Sequence, residues 1–407
     1  MRTQSVGLLL IAVVLPMAMA LLALPHSDVS ELVQLTAAGN ACACLLTLYL
    51  LRNIVVYPRI SGAFFVLPIT LVGFGMTFAM FLLLRLDFSR ILFVASGMGT
   101  LVWLYLVQIM IERGPPLRVG VVPTGEVSAL ADIDHFRIDW LERPQAPSRY
   151  DLLVADFRAD LDDEWESFLA DCALDGVPVF HVKQLQESVT GRVEIEHLSE
   201  NSFGSLIPFL AYLRLRRVID LIAAVLVGIL LLPFLLAVAL AIRIDSPGPA
   251  LFRQVRIGSR GQPFRVAKFR TMTHAQLSGE ALDGAITKEN DARITRLGRF
   301  LRRSRIDELP QILNIISGEM SWIGPRPEAE VLSRWYETEL PFYRYRHIVP
   351  PGVTGWAQVN QGHVADLGQV KSKLEYDFYY IKHFSPWLDA LIVAKTVHIV
   401  ITGYGSK

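Results

Sequence analysis

The chain has 407 residues, with 39 basic and 39 acidic side chains for a formal net charge of zero. It is 52% hydrophobic, with a mean hydropathy of +0.38. The length allows two or three domains, and the hydropathy excludes an ordinary soluble globular protein.

Charge is balanced but unevenly placed. Arg and Lys cluster after residue 214, beside an apolar segment, which points to an anionic surface or a phosphate partner, not to nucleic acid. The three cysteines, Cys42, Cys44 and Cys172, form no disulfide framework, and no Cys or His cluster has zinc spacing.

Four apolar runs fill the first 111 residues, at 6–24, 32–51, 62–84 and 91–111. Each is close to the roughly 20 residues that cross a bilayer as a helix. The first could instead be a signal peptide, because Ala18-Met19-Ala20 resembles a cleavage site; three further spans close behind favour a four-helix transmembrane domain over residues 1–113. Arg2, Arg52, Arg59, Arg113 and Arg118 fall on one side of this arrangement, and the loop 25–31 lacks Lys and Arg. Both ends of the unit are therefore expected in the cytoplasm, although Arg85 and Arg90 in the third loop weaken the signal.

Residues 114–192 read as an α/β module. LRVGVV, YDLLVADF and VPVFHV have the character of short buried strands, and LDDEWESFLADCALDG between the last two is an amphipathic helix. The turn Pro123-Thr124-Gly125 has one glycine and lacks G-x-G-x-x-G, so the expectation is a degenerate Rossmann-like unit used for packing or dimerisation. Residues 193–213 read as a linker.

The fifth apolar run, Leu221–Ile242, is long enough to span. Yet Arg214, Arg216 and Arg217 precede it, Arg243, Arg253 and Arg256 follow it, and Pro233 lies near its middle. Basic flanks prefer the same side of a membrane and an internal proline bends a helix, so we expect a re-entrant helix over 218–242. An ordinary fifth span is the alternative, and it would put the rest of the chain outside the cell.

Chemistry concentrates after this helix. Lys268-Phe269-Arg270-Thr271-Met272 follows a predicted strand, and its two cations and hydroxyl could hold a diphosphate or a lipid phosphate. Residues 295–327, TRLGRFLRRSRIDELPQILNIISGEMSWIGPRP, contain the adjacent acids Asp307 and Glu308, preceded by six arginines within the 13 residues 293–305. An acid pair beside fixed positive charge suits attack on a phosphate or a metal-assisted cradle for one; the residues alone do not say which acid attacks.

Ile294, Leu297 and Leu301 fall on one helical face and Arg296, Arg299 and Arg303 on another, a pattern that suits a membrane surface. Gly324-Pro325-Arg326-Pro327 is a rigid turn presenting one guanidinium, suited to bidentate phosphate binding. Pro351–Asn360, PGVTGWAQVN, reads as a loop beside a sugar or base. Tyr376–Trp387, YDFYYIKHFSPW, suggests a bilayer interface, and 388–402, with Asp389, Lys395 and His398, an interfacial helix. His347, His363 and His383 receive no role.

KFRTM, DELPQ, GPRP and PGVTGWAQVN in this order resemble the bacterial sugar transferase family, the monotopic polyprenyl-phosphate hexose-1-phosphate transferases. The resemblance is strong over 212–407 and only architectural over 1–190. It implies an α-rich monotopic catalytic domain over 214–407 with a re-entrant membrane helix, behind a transmembrane bundle and a CoA-binding-like Rossmann module. Family members often carry Ser before the proline of that helix; here it is Leu232.

The resemblance further implies that sugar 1-phosphate passes from a nucleoside diphosphate sugar to undecaprenyl phosphate, releasing nucleoside monophosphate. Asp307 would be the nucleophile, Asp307 and Glu308 the Mg²⁺ ligands, and Lys268, Arg270, Arg302 and Arg326 the phosphate-binding residues. It places the protein in the bacterial cytoplasmic membrane, at the start of exopolysaccharide, capsule or O-antigen assembly, and is compatible with a homodimer. A non-enzymatic scaffold built on a decayed catalytic domain is the other functional class.

Overall fold

The computed structural model of the chain describes residues 29–55, 62–130, 136–144, 150–193, 210–273, 293–362 and 366–402, together with Tyr57 and scattered positions before residue 19. The first apolar run, 6–24, lies almost entirely outside these residues. The chain divides into two compact units, Met1–Gly191 and Arg192–Lys407.

In the first unit, three long helices follow one another: α1 (Val29–Val55), α2 (Gly62–Leu83) and α3 (Arg90–Glu112). Each has a stretch long and apolar enough to cross a membrane. Leu71, Met76, Ile91 and Met110 face outward, while the seams between the helices are built from Thr36, Asn40, Ala43, Thr47, Thr70, Thr77, Ser96 and Thr100. Small and hydroxylated residues at the contacts are how helices pack where lipid removes any hydrophobic drive between them. Thr47, Thr70 and Thr77 donate to the carbonyl four residues back, at 2.7, 2.7 and 3.0 Å, so their hydroxyls carry no unmet bond inward. Gly73 is required at its position, because a Cβ there would stand 2.3 Å from Thr47 Oγ1.

A parallel four-stranded sheet follows: β1 (Leu117–Val121), β2 (Phe136–Trp140), β3 (Leu152–Ala155) and β4 (Val179–His181), in the order β2-β1-β3-β4. Helices α4 (Asp163–Leu174) and α5 (Val182–Thr190) complete it. Val119, Val121, Val154 and Leu185 fill one face of the sheet and Leu153, Trp165, Phe168 and Cys172 the other. Ligands in such sheets bind beyond the strand ends where the order reverses, here between β1 and β3.

The residues just past β1 and β3 bond to one another there. Asp156 accepts from the backbone N–H of Glu126 and of Arg158 at 3.0 and 3.1 Å and from the Arg158 guanidinium at 3.0 Å. Burial alone would raise its pKa, but Arg158 and the two N–H groups hold it down to about 2. Gly125, with φ +76°, exists to let this carboxylate in, since a Cβ would meet Asp156 Oδ2 at 2.6 Å.

The second unit opens with α6 (Leu210–Asp245), an unbroken 36-residue helix containing Pro233. Its described part already includes the eight residues before the expected start at 218, an extension with a physical cause. Arg216 is not a wet flank: it is buried, donating to Tyr380 Oη and Ser321 Oγ at 2.6 Å each and lying 3.3 Å from Asp389. The helix therefore continues through it.

One stripe of α6 lies on the rest of the unit. Ala224, Val227 and Leu231 pack with Phe264, Ile312 and Ile315, and Leu235, Val238, Ala239 and Ile242 with Phe269 and Leu301. These positions recur every three to four residues, one face of a helix, while Leu226, Ile229, Leu230, Leu240 and Ile244 are exposed.

The antiparallel hairpin β5 (Leu251–Ile257) and β6 (Pro263–Phe269) comes next. Then follow α7 (Arg296–Arg303), a 3-10 segment Ile306–Gln311, α8 (Ile312–Ser317), β7 (Ser321–Ile323), α9 (Glu330–Glu339), a 3-10 turn Tyr343–Ile348, β8 (Gly352–Thr354), α10 (Trp356–Asn360), α11 (Leu367–Lys382) and α12 (Pro386–Thr402). β7 and β8 pair in parallel.

Three expectations are corrected here. The aromatic segment on α11 is core, not interface: Tyr376, Tyr379 and Tyr380 are buried and Tyr379 stacks on Trp356 at 5.7 Å. Trp356 in turn turns PGVTGWAQVN inward, and Asn360 spends its amide on the Trp356 carbonyl and on Lys395. Asp389 is buried rather than on a wet face, bonded by Tyr212 at 2.6 Å and Tyr380 at 2.8 Å. In each case a partner distant in sequence satisfies a group that looks exposed when read locally.

Candidate active site

The end of α7 reverses sharply. Arg305 takes a left-handed conformation at φ +58°, an uncommon state for a side-chain-bearing residue, and the chain tightens into the 3-10 segment that carries Asp307 and Glu308. Strand β6 is drawn up against α7 through Gly298, where a Cβ would stand 2.1 Å from the Thr271 carbonyl. Both acids are buried, and the strand end brings Lys268 to them.

The two carboxylates live in opposite environments. Glu308 Oε1 accepts from Lys268 Nζ at 2.8 Å and from Arg326 Nη2 at 2.6 Å, with Arg326 Nη1 at 3.4 Å from Oε2. Burial would push its pKa up, but Arg326 and Lys268 hold it well below the usual carboxylate range. Asp307 is pushed up instead, by burial and then by the charge of Glu308, against the pull of Lys268, Arg302 and Arg305. Asp307 Oδ1 is buried with no hydrogen-bond partner, a costly state for a charged oxygen unless something else meets it. Burial brings Lys268 down to about 8, Glu308 opposing and Arg326 assisting.

Of the expected phosphate ligands, the structure brings Lys268 and Arg326 to the acid pair and sets Arg302 beside it, its Nε donating to Thr271 Oγ1 at 2.8 Å. It gives Arg270 a different task. That side chain is buried and donates to Pro247 O at 2.9 Å, Ser246 O at 2.6 Å and Ser246 Oγ at 3.0 Å, closing the C-terminal end of α6. With Nη1 and Nη2 on these oxygens and Nε buried without a hydrogen-bond partner, the side chain clamps the end of α6.

The sequence profile described as "Bacterial sugar transferase" matches residues 211–403. Along 376 residues the chain is 41% identical to the UDP-N-acetylgalactosamine-undecaprenyl-phosphate N-acetylgalactosaminephosphotransferase of Aeromonas hydrophila, covering 91% of this chain and 88% of that one. This chain belongs to the bacterial sugar transferase family. It is also similar to the UDP-glucose:undecaprenyl-phosphate glucose-1-phosphate transferases of Escherichia coli K12, at 42% over 187 residues, and of Xanthomonas campestris, at 45% over 179 residues. Those matches cover 45% and 44% of this chain and 39% and 37% of the relatives.

For a bacterial sugar transferase, the donor set suits a magnesium ion in a limited way. Asp307 Oδ1 is orphaned and Glu308 Oε2 has only its 3.4 Å contact, which leaves one oxygen on each acid for a hard cation that also takes substrate phosphate oxygens. Glu308 Oε1 is committed to two cations. Among the described residues no group of three or more His, Cys, Asp or Glu forms a metal cage.

Sequence reasoning missed the residues behind the turn that presents Arg326. Arg256 donates to Pro327 O, and Lys373 pairs with Glu328. Neither stands out locally: Arg256 shares LFRQVRI with Arg253 and Gln254, and Lys373 lies in the charged stretch VKSKLEYD.

Proposed function

We propose that this bacterial sugar transferase moves sugar 1-phosphate from a UDP-sugar to undecaprenyl phosphate, giving undecaprenyl-diphosphate-sugar and UMP. The observation that carries the reading is the buried pair itself: a partnerless Asp307 oxygen beside a Glu308 held by Lys268 and Arg326, inside the region matched by the family. An unbonded, partly desolvated carboxylate is a ready nucleophile, and the neighbouring cations suit a diphosphate.

In the first half-reaction an Asp307 oxygen attacks the β-phosphorus of the donor. An O–P bond forms, the bridging P–O bond breaks, and UMP leaves with that electron pair. In the second, an oxygen of undecaprenyl phosphate attacks the same phosphorus, the diphosphate forms and the Asp307 carboxylate is released. Arg326 and Lys268 bind the donor phosphates, and Arg302 offsets charge at Asp307. Magnesium held by Asp307 and Glu308 would supply further neutralisation of the diphosphate.

In this reading α6 is re-entrant, residues 1–113 are a transmembrane domain, and 114–192 are a degenerate Rossmann-like module used for packing or dimerisation. The catalytic unit works on the cytoplasmic face of the cytoplasmic membrane at the first membrane step of polysaccharide assembly. UDP-N-acetylgalactosamine leads the donor panel, because the relative that matches across 91% of the chain is named for that sugar.

The test uses the full chain in nanodiscs with Mg²⁺, undecaprenyl phosphate and a panel of UDP-sugars, reading UMP. Release with one sugar, a sugar-phosphate mass on the Asp307 peptide when acceptor is omitted, and loss of both in Asp307→Asn are expected. UMP release that survives Asp307→Asn would remove the covalent step.

A further inference from the structure

The Gly324–Pro327 turn must be held in place before Arg326 can be aimed. Its prolines fix φ on both sides of Arg326, but they do not fix where the turn sits. Gly324 N–H bonds Thr354 O at 2.8 Å and Gly352 N–H bonds Pro325 O at 3.0 Å, tying down its first half. The carbonyl of Arg326 itself is taken by Arg346, whose Nη2 donates to it at 2.9 Å.

Arg346 is 3% exposed and is itself fixed. Its Nε and Nη2 donate to Asp377 Oδ2 at 3.1 and 2.8 Å, and its Nη1 to Tyr343 Oη at 2.8 Å. Asp377, on α11, is 1% exposed. Burying such an ion pair brings little net stability, because desolvation offsets the attraction; its attested use is to specify one arrangement over others. What this pair specifies is the direction of the Arg326 carbonyl, and through that backbone unit the start of the side chain that reaches Glu308 at 2.6 Å.

We infer that Arg346, oriented by Asp377 and Tyr343, is a positioning residue that aims Arg326 at the donor diphosphate. This rests on the function proposed above. A role confined to stability predicts equal effects whether or not Arg326 is present; positioning predicts an effect that vanishes without it.

The experiment is a double-mutant cycle on the full chain in nanodiscs, measuring Kd for UDP with Mg²⁺ by calorimetry and the melting temperature of each variant. Arg346→Lys is expected to weaken UDP binding at least about tenfold in the wild-type background and less than about twofold in Arg326→Ala. If Arg346→Lys does not fold, Tyr343→Phe, which removes one bond from Arg346 and keeps the ring, must show the same dependence on Arg326 at smaller size. Equal losses in both backgrounds, or none in either, overturn the positioning role alone. Wild-type protein that neither binds UDP nor releases UMP overturns the proposed function, and this inference with it.

Discussion

Asp307 and Glu308 are neighbours in sequence, yet their surroundings drive their protonation in opposite directions, the arrangement that divides two acids into different tasks. Asp307 must be ionised to attack, and its pKa is raised, so turnover should fall on the acid side while ordinary exposed carboxylates are still charged. Lys268 must be protonated to hold Glu308 and the donor phosphate, and its pKa lies at about 8. Raising pH through that value removes its charge, so kcat/KM should decline above about pH 8. Lys268→Arg replaces it with a group charged throughout this range. We expect that variant to lose rate through altered geometry but to lose the basic limb as well, measured as UMP release between pH 5 and 10. A basic limb that stays put in Lys268→Arg would assign the titration to another group.

Elements divide by how local their causes are. The three long helices of the first unit and α4 follow from apolar length and periodicity that any window of the sequence displays. The acid pair was legible for the same reason: two carboxylates after six arginines within 13 residues is a local anomaly. The Arg270 clamp was not legible because KFRTM gives no hint that the end of α6 returns to it, a contact 24 residues back to Ser246; Asp389 and Tyr380 were misread because their partner Arg216 lies more than 160 residues away. The clamp reading makes its own prediction. Arg270→Ala leaves Ser246 O and Pro247 O without their donor and should cost on the order of 2–4 kcal/mol, since unsatisfied buried groups and a cavity add. The melting temperature should drop while the folded fraction keeps its Kd for UDP. A large loss of UDP binding with an unchanged melting temperature would instead make Arg270 a phosphate ligand.

At the scale of the molecule, the question is which side of the bilayer each end of α6 occupies. Thirty-six residues make a helix about 54 Å long, more than a bilayer needs, and length alone would permit a span. The contacts oppose it. The N-terminal part is tied to the unit through Arg216, which bonds Ser321 and Tyr380, and the C-terminal part through Arg270, which bonds Ser246 and Pro247. Between them Ala224 to Ile242 lie along Phe264, Ile312, Phe269 and Leu301. A span would have to strip one of these ends from the folded unit, exposing the apolar stripe and leaving a buried guanidinium without partners, at a cost of several kcal/mol. Both ends should therefore face the same compartment. In a chain freed of Cys42, Cys44 and Cys172, single cysteines at Leu215 and Ile244, both exposed, report this directly. A membrane-impermeant maleimide should label both in inside-out vesicles and neither in intact spheroplasts. Labelling of the two positions from opposite sides would make α6 a true span, and would put the acid pair on the side away from Leu215 or tear it from half of its packing.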